Sequence, residues 1–177
     1  MRIFPALPRW CRACGRRRRR LAKTHKIPVS TLVVIYTPDL DVLLIERADH
    51  PGFWQSVTGS QDPGETLLET AIREVGEETG FDARRHPLCD WNVSNVYEIY
   101  AVWRHRYAPG VTHNTEHVFG LRLPGRLEPT LAPKEHRDFR WLPWRDAANE
   151  VFSWSNRQAI LMLPVKDPPR SAAANQP

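Results

Sequence analysis

Cysteine is scarce in this chain, three among 177 residues, and the three make no framework. Cys11 and Cys14 have the spacing of half a zinc knuckle. A structural zinc site needs four ligands, and no second pair or histidine partners follow at the required spacing. Cys89 stands alone and reads as a small core residue. A disulfide-stapled scaffold is excluded, and the expected compartment is the cytoplasm. Long apolar runs are also lacking. No segment approaches the ~18 apolar residues of a membrane span, and no apolar stretch of about 7–15 residues follows the N-terminal charges as a secretory signal requires. Acid is absent from residues 1–26, which hold ten of the 25 Lys and Arg residues. The other 151 positions therefore carry 15 basic and 20 acidic side chains, a net of −5, although the whole chain is formally +5. The basic balance belongs to the N-terminus. Its run at residues 16–20 is self-repelling and expected to be disordered. Weak nucleic-acid contact through this run and a true start further along are both open readings.

What the chain does have is an acid-crowded stretch at residues 59–81. Gly59 is followed by Glu65 and then by Arg73-Glu74-Val75-Gly76-Glu77-Glu78-Thr79-Gly80-Phe81, behind a Pro63-Gly64 turn. The pattern predicts a helix over Leu67–Thr79 with Leu68, Ala71, Ile72 and Val75 as its apolar stripe. Glu74, Glu77 and Glu78 then share one flank, with Glu78 at the stripe's edge and expected to be the most shielded. Arg73 lies four residues before Glu77, where it can hold that side chain. A solvated acidic face is the plain alternative. Clustered hard oxygen ligands instead suit Mg²⁺, or Mn²⁺ in its place, and an acidic domain acting on polyanions needs such a cation.

These residues resemble the Nudix box, G-x5-E-x7-R-E-U-x-E-E-x-G-U, with every fixed position filled, from Gly59 through Glu65, Arg73, Glu74, Val75, Glu77, Glu78 and Gly80 to Phe81. The resemblance implies hydrolysis of a nucleoside diphosphate linked to another group, with divalent metal held on the box helix. Glu74 and Glu78 are then the expected metal ligands, Glu77 a further ligand or the residue that orients water, and Arg73 its anchor. Glu65 is expected to brace the loop. A distal acid completes such sites, and Glu135 is preferred to Glu116. His113 and His117 are four apart on an expected strand, which does not bring them together.

The remaining pattern predicts a mixed sheet with helices against it. Strands are expected at Val29–Tyr36 and at residues 42–45, 53–58, 116–123 and 139–142, with two more within 88–107. Short helices are expected at Trp144–Glu150 and, behind capping-box spacing at residues 155–158, up to a stop at Pro164. By pattern the fold class is α/β or α+β; the resemblance selects the Nudix α/β/α sandwich with a central mixed sheet. The expected organisation is a basic disordered extension at 1–25, one domain at 26–165 and a disordered tail at 166–177.

Further runs resemble the bacterial dihydroneopterin triphosphate diphosphatase family. They include Phe53-Trp54-Gln55-Ser56-Val57-Thr58-Gly59-Ser60, Asn114-Thr115-Glu116 and Ser153-Trp154-Ser155-Asn156-Arg157-Gln158. This implies Mg²⁺-dependent release of pyrophosphate from a small-molecule pterin triphosphate, in folate biosynthesis. It also implies substrate contacts at Lys26, Arg47, Thr58 and the stretch Tyr97-Glu98-Ile99-Tyr100, with Trp154 nearby. Tyr97 and Tyr100 can equally be strand packing, while Glu98 offers an acceptor to ring N–H groups. Ile27 stands where that family has a basic residue. Other Nudix substrates, or an inactive Nudix binding module, are the rival readings.

Overall fold

The structure is a computed structural model that describes residues 25–168. Nearly all of the basic extension, the cysteine pair within it and most of the expected tail lie outside the described residues. No helix among the described residues is long and apolar enough to cross a membrane.

The sheet is built around β1 (Val29–Tyr36), whose β-branched run is buried on both faces. Such a strand has no solvent side and so reads as continuous rather than alternating. It pairs antiparallel with β2 (Asp41–Arg47) and β4 (Val57–Ser60), and parallel with β6 (His113–Arg122). Outside these lie β3 (Trp54–Gln55) and β7 (His136–Pro143) on β2, and β5 (Leu88–Glu98) on β6. The result is one mixed seven-stranded sheet. Alternation divides its core. Val33, Ile35, Val57 and Phe119 face α1 (Leu67–Thr79) through Ala71 and Val75. Leu32, Val34, Trp54 and Val118 face α2 (Trp144–Glu150) and α3 (Trp154–Lys166) through Ala147, Ala159, Ile160 and Leu163. The layers are α/β/α, as expected.

Helix α1 starts at a full capping box, Thr66 with Glu69, and ends at Gly80 with φ 73°. That left-handed conformation favours glycine. The stripe is rotated from the expected one: Leu67, Ala71 and Val75 face the core, and Leu68 is exposed.

Several other expectations are corrected. Residues 53–58 form no single strand. The chain breaks at Ser56, so that Trp54–Gln55 pairs with β2 and Val57–Ser60 with β1. The Ser56 N–H that this break removes from the ladder donates to Asn156 Oδ1 at 2.8 Å. Residues 88–107 form one strand followed by a 3-10 helix at Ala101–Arg106. There the aromatics pack on one another instead of joining the sheet: Trp103 meets Tyr100 edge-on at 5.3 Å and Phe152 at 6.3 Å, a tertiary override of β-propensity. Cys89 is exposed. Ser153, not Ser155, caps α3, and Pro164 lies inside the helix. Pro164 falls in the last turn, where its missing N–H forfeits a single intrahelical bond.

Candidate active site

Arg73 is the hub of the site. Its Nε and Nη2 donate to the two oxygens of Glu65 at 2.7 and 2.9 Å, Nη2 also to the Ser60 carbonyl at 3.0 Å, and Nη1 to Glu74 at 2.7 Å and Glu77 at 3.1 Å. One guanidinium fork thus ties the loop before α1 to two carboxylates on it. Glu65 is the brace it was expected to be. It also accepts from the Asp62 N–H and Thr70 Oγ1, and Arg73 holds its carboxyl down at about 2.

The three box acids differ in environment. Glu78 is 4 % exposed and Glu74 9 %, whereas the Glu77 side chain is 60 % exposed. Burial pushes Glu74 up to about 7, against the Arg73 hydrogen bond and aided by the charge of Glu78. Burial also raises Glu78, which accepts from the Thr58 N–H at 3.3 Å. The space for Glu74 comes from Gly59: a Cβ there would lie 1.7 Å from its carboxyl carbon.

Glu135 lies just before β7, beside Glu78. Ligand atoms of Glu78, Glu135 and His136 fall within 4.8 Å of one another. His136 is buried, with Nε2 3.2 Å from Glu78 Oε1. This is ion-pair distance without hydrogen-bond alignment, and both ring nitrogens lack a hydrogen-bond partner among the described residues. Glu74 is not in that group. Its carboxylate lies against Gly59 and faces Arg73.

A cavity of about 130 Å³ opens beside these acids. Of the expected substrate residues, Lys26, Arg47, Thr58, Tyr97, Ile99, Tyr100 and Trp154 line it. Arg47 is aimed by Asp49, which accepts from Nε and Nη2 at 2.8 and 2.9 Å, and by Gln55 at 3.3 Å. Its guanidinium carbon lies 4.8 Å from the Trp103 ring centroid. Glu98 is not in the lining; its carboxylate is exposed and pairs with Arg104. Glu116 is in the lining, 3 % exposed, and burial pushes it up to about 7. His113 and His117 share one strand and are in no metal-sized group among the described residues.

Sequence reasoning missed His136, Ser30, Trp103, Tyr107, Phe152 and Asn156. Asn156 falls inside a run that carried the family resemblance, and His136 is the neighbour of Glu135. Trp103 and Phe152 left no local signal.

The family model of the NUDIX domain matches residues 26–163. The chain belongs to the Nudix hydrolase family. This Nudix chain is 50 % identical over 141 residues to the dihydroneopterin triphosphate diphosphatase of Escherichia coli strain K12, covering 78 % of this chain and 93 % of that protein. It is 41 % identical over 143 residues to the protein of the same name from Haemophilus influenzae, covering 79 % and 89 %. The solved structure of the E. coli dihydroneopterin triphosphate pyrophosphohydrolase aligns with a TM-score of 0.75 and 47 % identity, over 81 % of this chain and 99 % of that one.

Nudix hydrolases use a divalent metal, and the donors here fit one. Glu74 and Glu78 are buried carboxylates whose charged forms burial disfavours, and the orphaned nitrogens of His136 stand beside Glu78 and Glu135. A hard cation among those oxygens relieves their repulsion.

Proposed function

We propose that this Nudix hydrolase releases pyrophosphate from dihydroneopterin triphosphate, leaving the monophosphate, with Mg²⁺ as its metal. The observation that carries the reading is the 50 % identity over 141 residues to the E. coli diphosphatase, across a chain whose box acids and cavity are intact.

Glu78, Glu135 and Glu74 are the residues that would hold the ion. When bound, it supplies charge stabilisation to the phosphate oxygens and lowers the pKa of water. The chain's own groups do the rest. Lys26 and Arg47 are charge-assisted donors for the phosphates, and Asp49 pre-aims Arg47 so that little orientational freedom is lost on binding. Water adds to a phosphorus of the triphosphate, the anhydride P–O bond breaks, and pyrophosphate carries away the bonding pair. Glu77, exposed and steadied through one oxygen by Arg73, would serve as a further ligand or as the base that orients the water. Arg73 positions Glu74 and Glu77 but does not face the cavity.

The test compares full-length protein with a chain starting near Thr24, on dihydroneopterin triphosphate, dATP and triphosphorylated RNA with Mg²⁺. The expected result is pyrophosphate plus dihydroneopterin monophosphate as products, and the highest kcat/KM on that substrate for both chains. Glu78→Gln should reduce turnover by at least about a hundredfold. Higher efficiency on RNA at moderate salt, or undiminished turnover in the Gln variant, overturns the reading.

A further inference from the structure

We propose that Glu116 reads the substrate's ring. Its carboxylate accepts hydrogen bonds from an edge where a ring N–H stands beside an exocyclic amino group, the amino-oxo-pyrimidine edge that pterins share with guanine. This rests on the reading of the cavity as the site of a ring-bearing triphosphate.

Glu116 is buried on β6 and lines the cavity; the side chains of Ser155 and Asn95 lie against its carboxylate, yet Oε1 makes no aligned hydrogen bond among the described residues. An unpaired buried acceptor is costly, and a ligand whose donors reach it would offset that cost. Burial disfavours its charged form, and a ligand that brings donors would favour the ionised carboxylate, which accepts only.

Its place in the sheet separates this carboxylate from the box acids. In the strand register Ser30 stands between Glu116 and Ser60. Two strand spacings, roughly 10 Å, therefore lie between Glu116 and β4. Alternation puts Ser30 and Glu116 on the face of Leu32 and Val118, the side of α3, whereas α1 packs on the opposite face. The acid group beside α1 already has its distal member in Glu135.

The surroundings suit a flat polar ring. Tyr97 and Trp154 offer aromatic surface in the same cavity. Asn114 fixes the hydroxyls of Ser30 and Tyr97 near Glu116, with Nδ2 at 2.7 and 3.1 Å. Glu98, the acid that the sequence suggested for this edge, is held at the surface by Arg104.

The test uses the full chain and Glu116→Gln, which keeps the shape and turns one acceptor into a donor. Binding of dihydroneopterin and guanosine, which lack phosphates, is measured by calorimetry without metal. Turnover of dihydroneopterin triphosphate, dGTP and dATP is followed against Mg²⁺ concentration. A good two-bond pairing to a base edge predicts that the variant binds dihydroneopterin and guanosine about tenfold to a hundredfold more weakly. It should lose the same factor in kcat/KM on their triphosphates, chiefly through KM. Turnover of dATP, whose ring has no N–H beside its amino group, and the Mg²⁺ midpoint should not move. Unchanged ring affinity, an equal loss on dATP, a raised Mg²⁺ midpoint, or no ring binding by the unaltered protein overturns the assignment. A selective loss on dGTP with no turnover of dihydroneopterin triphosphate by either form would retain Glu116 as the edge reader and reject the proposed substrate. Melting curves check folding, and if the Gln variant does not fold, Glu116→Asp, which withdraws the same carboxylate, must show the same selectivity.

Discussion

Replacing Gly59 with alanine separates where Glu74 sits from what charge it carries. The added methyl would lie 1.7 Å from the Glu74 carboxyl carbon and 1.9 and 2.2 Å from its oxygens. Ordinary contact is about 3.5–4.0 Å, so the carboxylate must retreat by roughly 2 Å. Gly59 is not among the glycines with positive φ, so alanine meets no backbone strain and the fold should survive. The direct loss is the 2.7 Å hydrogen bond from Arg73 and the burial of a poorly paired carboxylate, about 1–3 kcal/mol. For a chain of this size that is a Tm fall of roughly 3–10 °C. A reacting group misplaced by about 1 Å costs on the order of a hundredfold in rate, so kcat should fall by at least that much. The assay is pyrophosphate release over a Mg²⁺ series, paired with melting curves. A folded Gly59→Ala protein within threefold of the unaltered rate at saturating Mg²⁺ would refute the claim that this glycine exists to place Glu74.

His136→Gln should weaken Mn²⁺ binding, measured by calorimetry, by about 10–100-fold, the usual cost of losing a supporting partner beside a ligand; unchanged affinity would make His136 packing only. In the metal-free protein, stability should fall as pH rises. Glu74 and Glu116 stand at about 7 in the fold against an ordinary 4.5. Between those values the native state holds protons that the unfolded chain has released, so the contribution of these two groups is full below about pH 4.5 and is lost by about pH 7. Each group contributes up to about 3 kcal/mol of that loss. Urea unfolding in EDTA at pH 5 and pH 8 measures it, with Mg²⁺ expected to restore stability mainly at pH 8; a flat profile would contradict the burial of these carboxylates.

What was legible in the sequence followed how local each feature is. The helix at Leu67–Thr79 carries its own cap and stop, and the strand at Val29–Tyr36 its own β-branched run, so the bounds of both matched to the residue although the apolar stripe of the helix did not. The bracing role of Glu65 followed from the box pattern. What was not legible depended on distant partners. The break at Ser56 is stabilised by Asn156, one hundred residues away. The aromatic stretch after Glu98 looks like a strand until Phe152 and His50 are there to pack against it. Glu98 and Glu116 illustrate the limit for the site. Both are strand acids, and only the register and the Arg104 pair show that one faces solvent and the other the cavity.

The break at Ser56 joins the two halves of the site. On one side of it, α3 supplies Asn156, which accepts from the Ser56 N–H and donates to Ser56 Oγ at 2.9 Å. On the other side the chain runs only two residues to Thr58, whose N–H reaches Glu78, and three to Gly59, against which Glu74 lies. A continuous strand on β2 could not reach β1 in that distance. The kink transfers the chain from one partner to the other at the point where the box acids of α1 and the cavity under α3 approach each other. The Asn156 bond to Ser56 on the α3 side and the Glu78 bond to Thr58 on the α1 side are thereby held two residues apart, so loss of the asparagine should loosen both ends of this short segment.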